Sequence, residues 1–175
     1  MNVNISELLA SLHQSSFRDV AGSRASVRIP VARSLVNAVV AQALKGRSVP
    51  VKTIDVQLHD GDRMGVIVDV TWPFVPALTV DVTIERQPEF PASPILVLHW
   101  SVLGAVGALA SRFLKGFDRL PPGIRLEGEF VVLDLPVLVA GSPAAAALPF
   151  VRSLQVHTAE GRLVLEVDLE IPEPR

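Results

Sequence analysis

The chain has 175 residues, a formal net charge of −2 and no cysteine, with 49% hydrophobic and only 19% charged residues. Its sixteen basic and eighteen acidic residues are scattered, so it lacks the dense basic face that nucleic acid or a polybasic membrane anchor requires. The absence of cysteine excludes disulfides, thiol catalysis and Cys-based zinc sites.

From the N-terminus, Ile5, Leu8, Leu9 and Leu12 fall at i, i+3, i+4 and i+7, which predicts a short helix over 4–12. Asn4 and Glu7 have the spacing of its capping box. This start carries no basic-then-apolar leader pattern, and the most apolar window, Val102 to Ala110, is about half the length of a bilayer span. The default expectation is a cytoplasmic chain without a transmembrane segment. Gly22 to Ser26 reads as a loop, and a short apolar strand-like piece leads to Pro30. Val31 to Leu44 predicts the first strong helix, with Leu35, Val36, Val39, Val40, Ala43 and Leu44 in one broad stripe and Gly46 as its stop.

Val51 to His59 alternates, with Ile54, Val56 and Leu58 on one side and Thr53, Asp55, Gln57 and His59 on the other. Asp60-Gly61 then suits a two-residue type I′ turn, and Met64, Val66, Val68 and Val70 form the returning strand. Trp72 to Pro76 interrupts the pairing. Leu78, Val80, Val82 and Ile84 mark a third strand. Gln87 to Pro94 is a proline-rich loop, and Ile95 to Trp100 reads as a strand covered on both faces. Val102 to Phe117 predicts a second helix, with Leu103, Val106, Ala110, Phe113, Leu114 and Phe117 on one face and Gly104, Gly107, Ala108 and Ser111 opposite. Pro121-Pro122-Gly123 ends that unit. Residues 124–132 alternate like one further strand, Ala140 to Pro149 is a loop or loose helical turn, and a last hairpin closes around Glu160-Gly161. The segments VKTIDVQLHDG from Val51 and VRSLQVHTAEG from Val151 match in register, which suggests an internal repeat.

No catalytic arrangement emerges. There is no G-x-S-x-G elbow, no tyrosine, and no paired histidine motif among His13, His59, His99 and His157. His59 and His157, both near hairpin ends, are the one pair with a chance of meeting as metal ligands. Asp60-Gly61-Asp62 lacks the later acidic positions of a calcium loop, and the carboxylates Asp81, Glu85, Glu127 and Glu129 read as solvated strand charges. We therefore expect no enzyme, no metal and no cofactor.

The elements add up to an α+β protein of antiparallel hairpins, one domain over 1–175, with 1–26 as N-terminal helix and loop and 27–171 as core. The succession RIPVARSLVNAVVAQAL, long strands around DG, a second apolar helix, LPPGI and a closing EGRLVLEVDLEI hairpin resembles the tubular lipid-binding (TULIP) superfamily, in particular its small bacterial single-unit members. The resemblance is one of pattern and spans Val27 to Ile171. It implies a curved antiparallel sheet of about six to seven strands wrapped around one or two long amphipathic helices, with an apolar groove for a lipid. It places in that groove Val36, Val40 and Leu44, then Val66, Val68, Val80 and Val82, and from the second helix Leu103, Val106, Ala110 and Phe113. The expected partner is an apolar small molecule or lipid, with peripheral membrane contact compatible. The alternative is an interaction or scaffold protein, a homodimer or an edge-strand partner, that buries its apolar excess against another chain.

Overall fold

The structure, a computed structural model, describes residues 21–45, 51–71, 77–102, 120–159 and 161–173. The predicted helix over 4–12, the stop at Gly46, the Trp72–Pro76 break and the body of the second helix lie outside these residues. The described part is α+β, with a curved six-stranded antiparallel sheet of order β2-β3-β4-β5-β7-β6 and a second sheet of order β1-β9-β8.

Strand β1 (Arg24–Ala32) runs into helix α1 (Arg33–Leu44). Two expectations change here. The loop expected over Gly22 to Ser26 is confined to Gly22 and Ser23, because Arg24, Ala25 and Ser26 already pair with Glu170, Leu169 and Asp168. The helix starts at Arg33, with Val31 and Ala32 still paired to Leu163 and Arg162. Pro30 sits inside β1, which an edge strand tolerates because one side of it needs no N–H donors.

β2 (Val51–His59) and β3 (Arg63–Val70) form the expected hairpin. Its pairing closes at His59 and Arg63, leaving a three-residue turn rather than two. The left-handed residues are Gly61 and Asp62, at φ 75° and 60°, one position later than the sequence suggested. β4 (Leu78–Arg86) and β5 (Ile95–Val102) follow in antiparallel register. Val102 thus ends a strand instead of opening a helix. Leu96 and Val97, which point to opposite faces, are both buried, so β5 is covered on both sides at that end.

Residues 124–132 are not one strand. They are β6 (Ile124–Glu127) and the start of β7 (Phe130–Asp134), a tight hairpin paired at Glu127 and Phe130. Gly128, at φ 63°, holds the first central position of the turn, where a type II′ turn calls for glycine. Asp134 caps the short helix α2 (Leu135–Val139), its side chain accepting from the Val137 N–H at 3.3 Å. A 3₁₀ segment (Pro143–Phe150) then leads into β8 (Val151–Ala159) and β9 (Arg162–Glu170). The closed core is small. Val68, Val70 and Leu78 cluster with Val51, Ile54 and Val66 around them, and none of the described side chains is completely buried.

Candidate functional site

The register sorts the six-stranded sheet into two unlike faces. Because side chains alternate along a strand, residues paired directly across share a face. Leu58 faces Met64, Met64 faces Val82, and Val82 faces Trp100, one row across four strands. The next row is Val56, Val66, Val80 and Val102. Ile84 with Leu98, Leu98 with Val131 and Val131 with Leu126 carry the same face to the far edge. Every one of these side chains is apolar. The opposite face is mainly polar over β2 to β4, with Thr53, Asp55, Gln57 and His59, then Arg63, Gly65 and Ile67, then Thr79, Asp81 and Thr83, and it buries Val97 and Val132 further on.

Coverage of the apolar face is uneven. Val56, Leu58, Val68, Val70 and Leu78 are buried. Val66, Val80, Val82, Ile84, Leu98 and Trp100, at the middle of the sheet, are only half-buried. Trp100 has one further property: its indole N–H is buried and has no hydrogen-bond partner.

The three-stranded sheet is divided in the same way. On its polar face Glu170 lies between Arg24 and Arg152, at 3.3 and 3.0 Å. One position along, Asp168 accepts from the hydroxyls of Ser26 and Ser153 at 2.5 and 2.6 Å. Those hydroxyls, Ser153 before Ser26, hold the Asp168 carboxyl below its ordinary value. Arg28 pairs with Glu166 at 3.4 Å. The other face carries Val27, Ile29, Leu163, Leu165, Val167 and Leu154, with Val27 and Ile29 exposed.

Among the described residues, each sheet edge carries a feature that opposes a further strand. At β2, Asn37 of α1 clasps Val56: its carbonyl oxygen accepts from the Val56 N–H at 2.7 Å and its amide donates to the Val56 carbonyl at 3.2 Å. Arg33 locks the helix there through Asp55, at 2.6 and 2.8 Å, and this hydrogen-bonded guanidinium is the main cause that lowers the Asp55 carboxyl. At β8, Gln87 clasps Val156 in the same two-bond manner at 2.9 and 2.7 Å, and the Asp62 carboxylate accepts from the Thr158 N–H at 3.0 Å. The β1 edge contains Pro30, and β6 is four residues long. Clasps, proline and shortness are the devices that stop sheets from adding strands.

The sequence-predicted residues divide accordingly. Val66, Val68, Val80 and Val82 share the apolar face, with Val68 in the closed cluster and the other three half-buried. Val36 and Val40 are half-buried on α1, a helix whose neighbours are β2, β1 and β9 and which Asn37 ties to the sheet edge. The side chain of Leu44 and residues Leu103, Val106, Ala110 and Phe113 lie outside the described residues. Sequence reasoning set Ile84 on the inward side of its strand without assigning it to the groove, and it missed Leu98 and Trp100 as members of the face, although their alternation with His99 was visible.

His157 and His59 make different contacts. Nδ1 of His157 lies 3.3 Å from both Asp62 oxygens and Nε2 lies 3.2 Å from Gln155 Oε1. The His59 ring lies over Gly65, its Nε2 3.3 Å from where a Cβ would stand. Among the described residues no three His, Asp or Glu groups gather around one point. Two open hollows, of about 230 and 290 Å³, are lined largely by charged and hydroxyl groups, Ser26, Arg28 and Glu166 in one and His59, Arg63 and Asp81 in the other, which suits water better than an apolar ligand. No described helix is long and apolar enough to cross a membrane. In comparisons with known proteins, no family model, no curated protein and no solved structure matches the chain.

Proposed function

We propose that this chain is a non-enzymatic binder of a lipid or another apolar molecule, held against the apolar face of the six-stranded sheet. The observation that carries the reading is the contiguous patch of Val66, Val80, Val82, Ile84, Leu98 and Trp100, apolar throughout and half-buried throughout. A continuous apolar face that is only half-buried is the kind of surface an apolar ligand covers. The pattern shared with the TULIP superfamily points the same way. An alkyl chain gains about 0.8 kcal/mol per covered methylene, and association takes back at least about 4 kcal/mol. A chain of about sixteen carbons would thus bind with a Kd on the order of micromolar, without a polar constellation.

Native mass spectrometry and solvent extraction of the purified chain test this. A co-purifying lipid, or uptake of added oleate in a defined ratio, supports it. A chain that carries nothing and takes up neither fatty acid nor phospholipid overturns it.

A second reading has one observation in its favour. Leu35 and Val39 on α1 are 55% and 61% exposed, and residues 34–42 contain no charge. A helix face of this kind suits a second copy of the chain or a scaffold partner. The edge-strand version of that reading has little support, since each sheet edge is clasped, short or interrupted by proline. Light scattering over a concentration series tests the homodimer: a mass that doubles with concentration supports it, and a constant monomer mass excludes it.

A further inference from the structure

Trp100 is the one described residue with a buried side-chain donor left without a partner. A buried indole N–H ordinarily finds an acceptor, and leaving it without one is destabilising. The sheet itself offers none. Directly opposite Trp100 is Val82; the neighbouring positions on the same face are Val80, Ile84, Leu98 and Val102, all without an acceptor in the side chain. The Trp100 main-chain N–H donates to the Glu129 carbonyl at 2.9 Å. Trp100 stands on the same apolar face that the proposed ligand would occupy.

Resting on that proposed function, we infer that the ligand is an amphiphile with a hydrogen-bond acceptor beside its hydrocarbon, a carboxylate or ester oxygen, and that Trp100 Nε1–H donates to it. The half-buried valines and leucines select for hydrocarbon of any kind. Trp100 sets where along the chain the polar end must lie and disfavours a plain hydrocarbon, which leaves the donor unmade. Discrimination of this sort, a buried polar group that only the right ligand satisfies, is sharper than discrimination by apolar fit.

The test compares oleate, which has the acceptor, with diphenylhexatriene, which has no hydrogen-bonding group, on the full chain and on Trp100→Phe. Phenylalanine keeps an apolar ring and removes the donor. We expect Trp100→Phe to weaken oleate by about five- to fifteenfold, the worth of one hydrogen bond, while diphenylhexatriene binds within about twofold of the parent, a difference small on the same scale. Nitrogen-15 spectra give an independent readout. The chain has two tryptophans, so Trp72→Phe assigns the indole signals, and the Trp100 N–H signal should move downfield as oleate saturates the protein. If oleate binds without moving that signal, or if the variant loses both probes equally or neither, the inference is overturned while apolar binding stands. If neither probe binds the parent chain, the inference falls together with the proposed function.

Discussion

Hairpins β2–β3 and β8–β9 carry related sequences, and the structure makes them alike in ways the sequences do not spell out. Each has a bulge at its start, between Val51 and Thr53 in one and between Val151 and Ser153 in the other. In each the basic residue in the bulge reaches a carboxylate on the partner strand, Lys52 to Asp69 at 3.6 Å and Arg152 to Glu170 at 3.0 Å. In each a side-chain amide clasps the fifth residue beyond the first valine, Val56 or Val156. They differ in where the clasp comes from. Asn37 belongs to the helix just before β2, whereas Gln87 and Asp62 belong to the other sheet. The first clasp therefore fixes a helix to its own hairpin, and the second fastens the two sheets together. In both cases a main-chain edge position that would otherwise pair with a further strand is sealed.

Substitutions at matched positions would break the likeness most strongly where burial differs in chemistry. Leu58 and Thr158 occupy the same position of the two hairpins, and both are buried. Leu58→Ala should cost about 2–5 kcal/mol, since it deletes a packed side chain. Thr158→Val should cost less than about 1 kcal/mol, because it gives up only a long hydroxyl bond of 3.4 Å to the Arg63 carbonyl. Urea denaturation of both variants measures the pair.

Removal of each clasp comes next in size. Asn37→Ala strips two part-buried main-chain groups of Val56 and a donor from Asp55, and we expect a loss of about 2–3 kcal/mol. Gln87→Ala strips two groups of Val156 and should cost about 1–2 kcal/mol. Hydrogen exchange separates the roles: Asn37→Ala should expose amides of α1 and β2, and Gln87→Ala those of β8. An identical exchange pattern in both variants would erase the distinction between a helix clasp and a sheet clasp.

The smallest effect is an acid one. Asp55 and Asp168 both have carboxyls lowered from 3.8. Each therefore adds stability that is fully present above its unfolded value and is lost as pH falls through the lower folded value. Asp55 depends on a cation and Asp168 on neutral hydroxyls, so 1 M salt should weaken the first contribution and leave the second. Acid titrations of Asp55→Asn and Asp168→Asn, each at low and high salt, read the difference.

Much of this fold could be read from alternation alone. Strands β2, β3 and β4 carry their buried apolar residues on one side, and period two survives in their sequences. Alternation failed where both sides are exposed or where a turn preserves it. β1 begins Arg24-Ala25-Ser26 and is exposed almost throughout, so nothing apolar marks its start. The β6–β7 turn hides because polar and apolar residues keep alternating through Gly128 while the strand direction reverses. The clasps were invisible for a different reason: Asn37 and Gln87 look like any polar residue until a partner 19 or 69 positions away is brought to them. The orphaned indole of Trp100 likewise depends on its neighbours, because a tryptophan at a strand end reads as ordinary core.

Binding of diphenylhexatriene to the parent chain, to Val80→Lys and to Thr79→Lys puts the open apolar face to the most direct trial. Val80 and Thr79 are adjacent in β4 and point to opposite faces of the sheet, the first toward the half-buried apolar patch and the second toward water. We expect the probe to bind the parent and Thr79→Lys alike and to be lost from a still-folded Val80→Lys. Retained binding in Val80→Lys, or none in the parent, would show that this face is not where the chain meets oil.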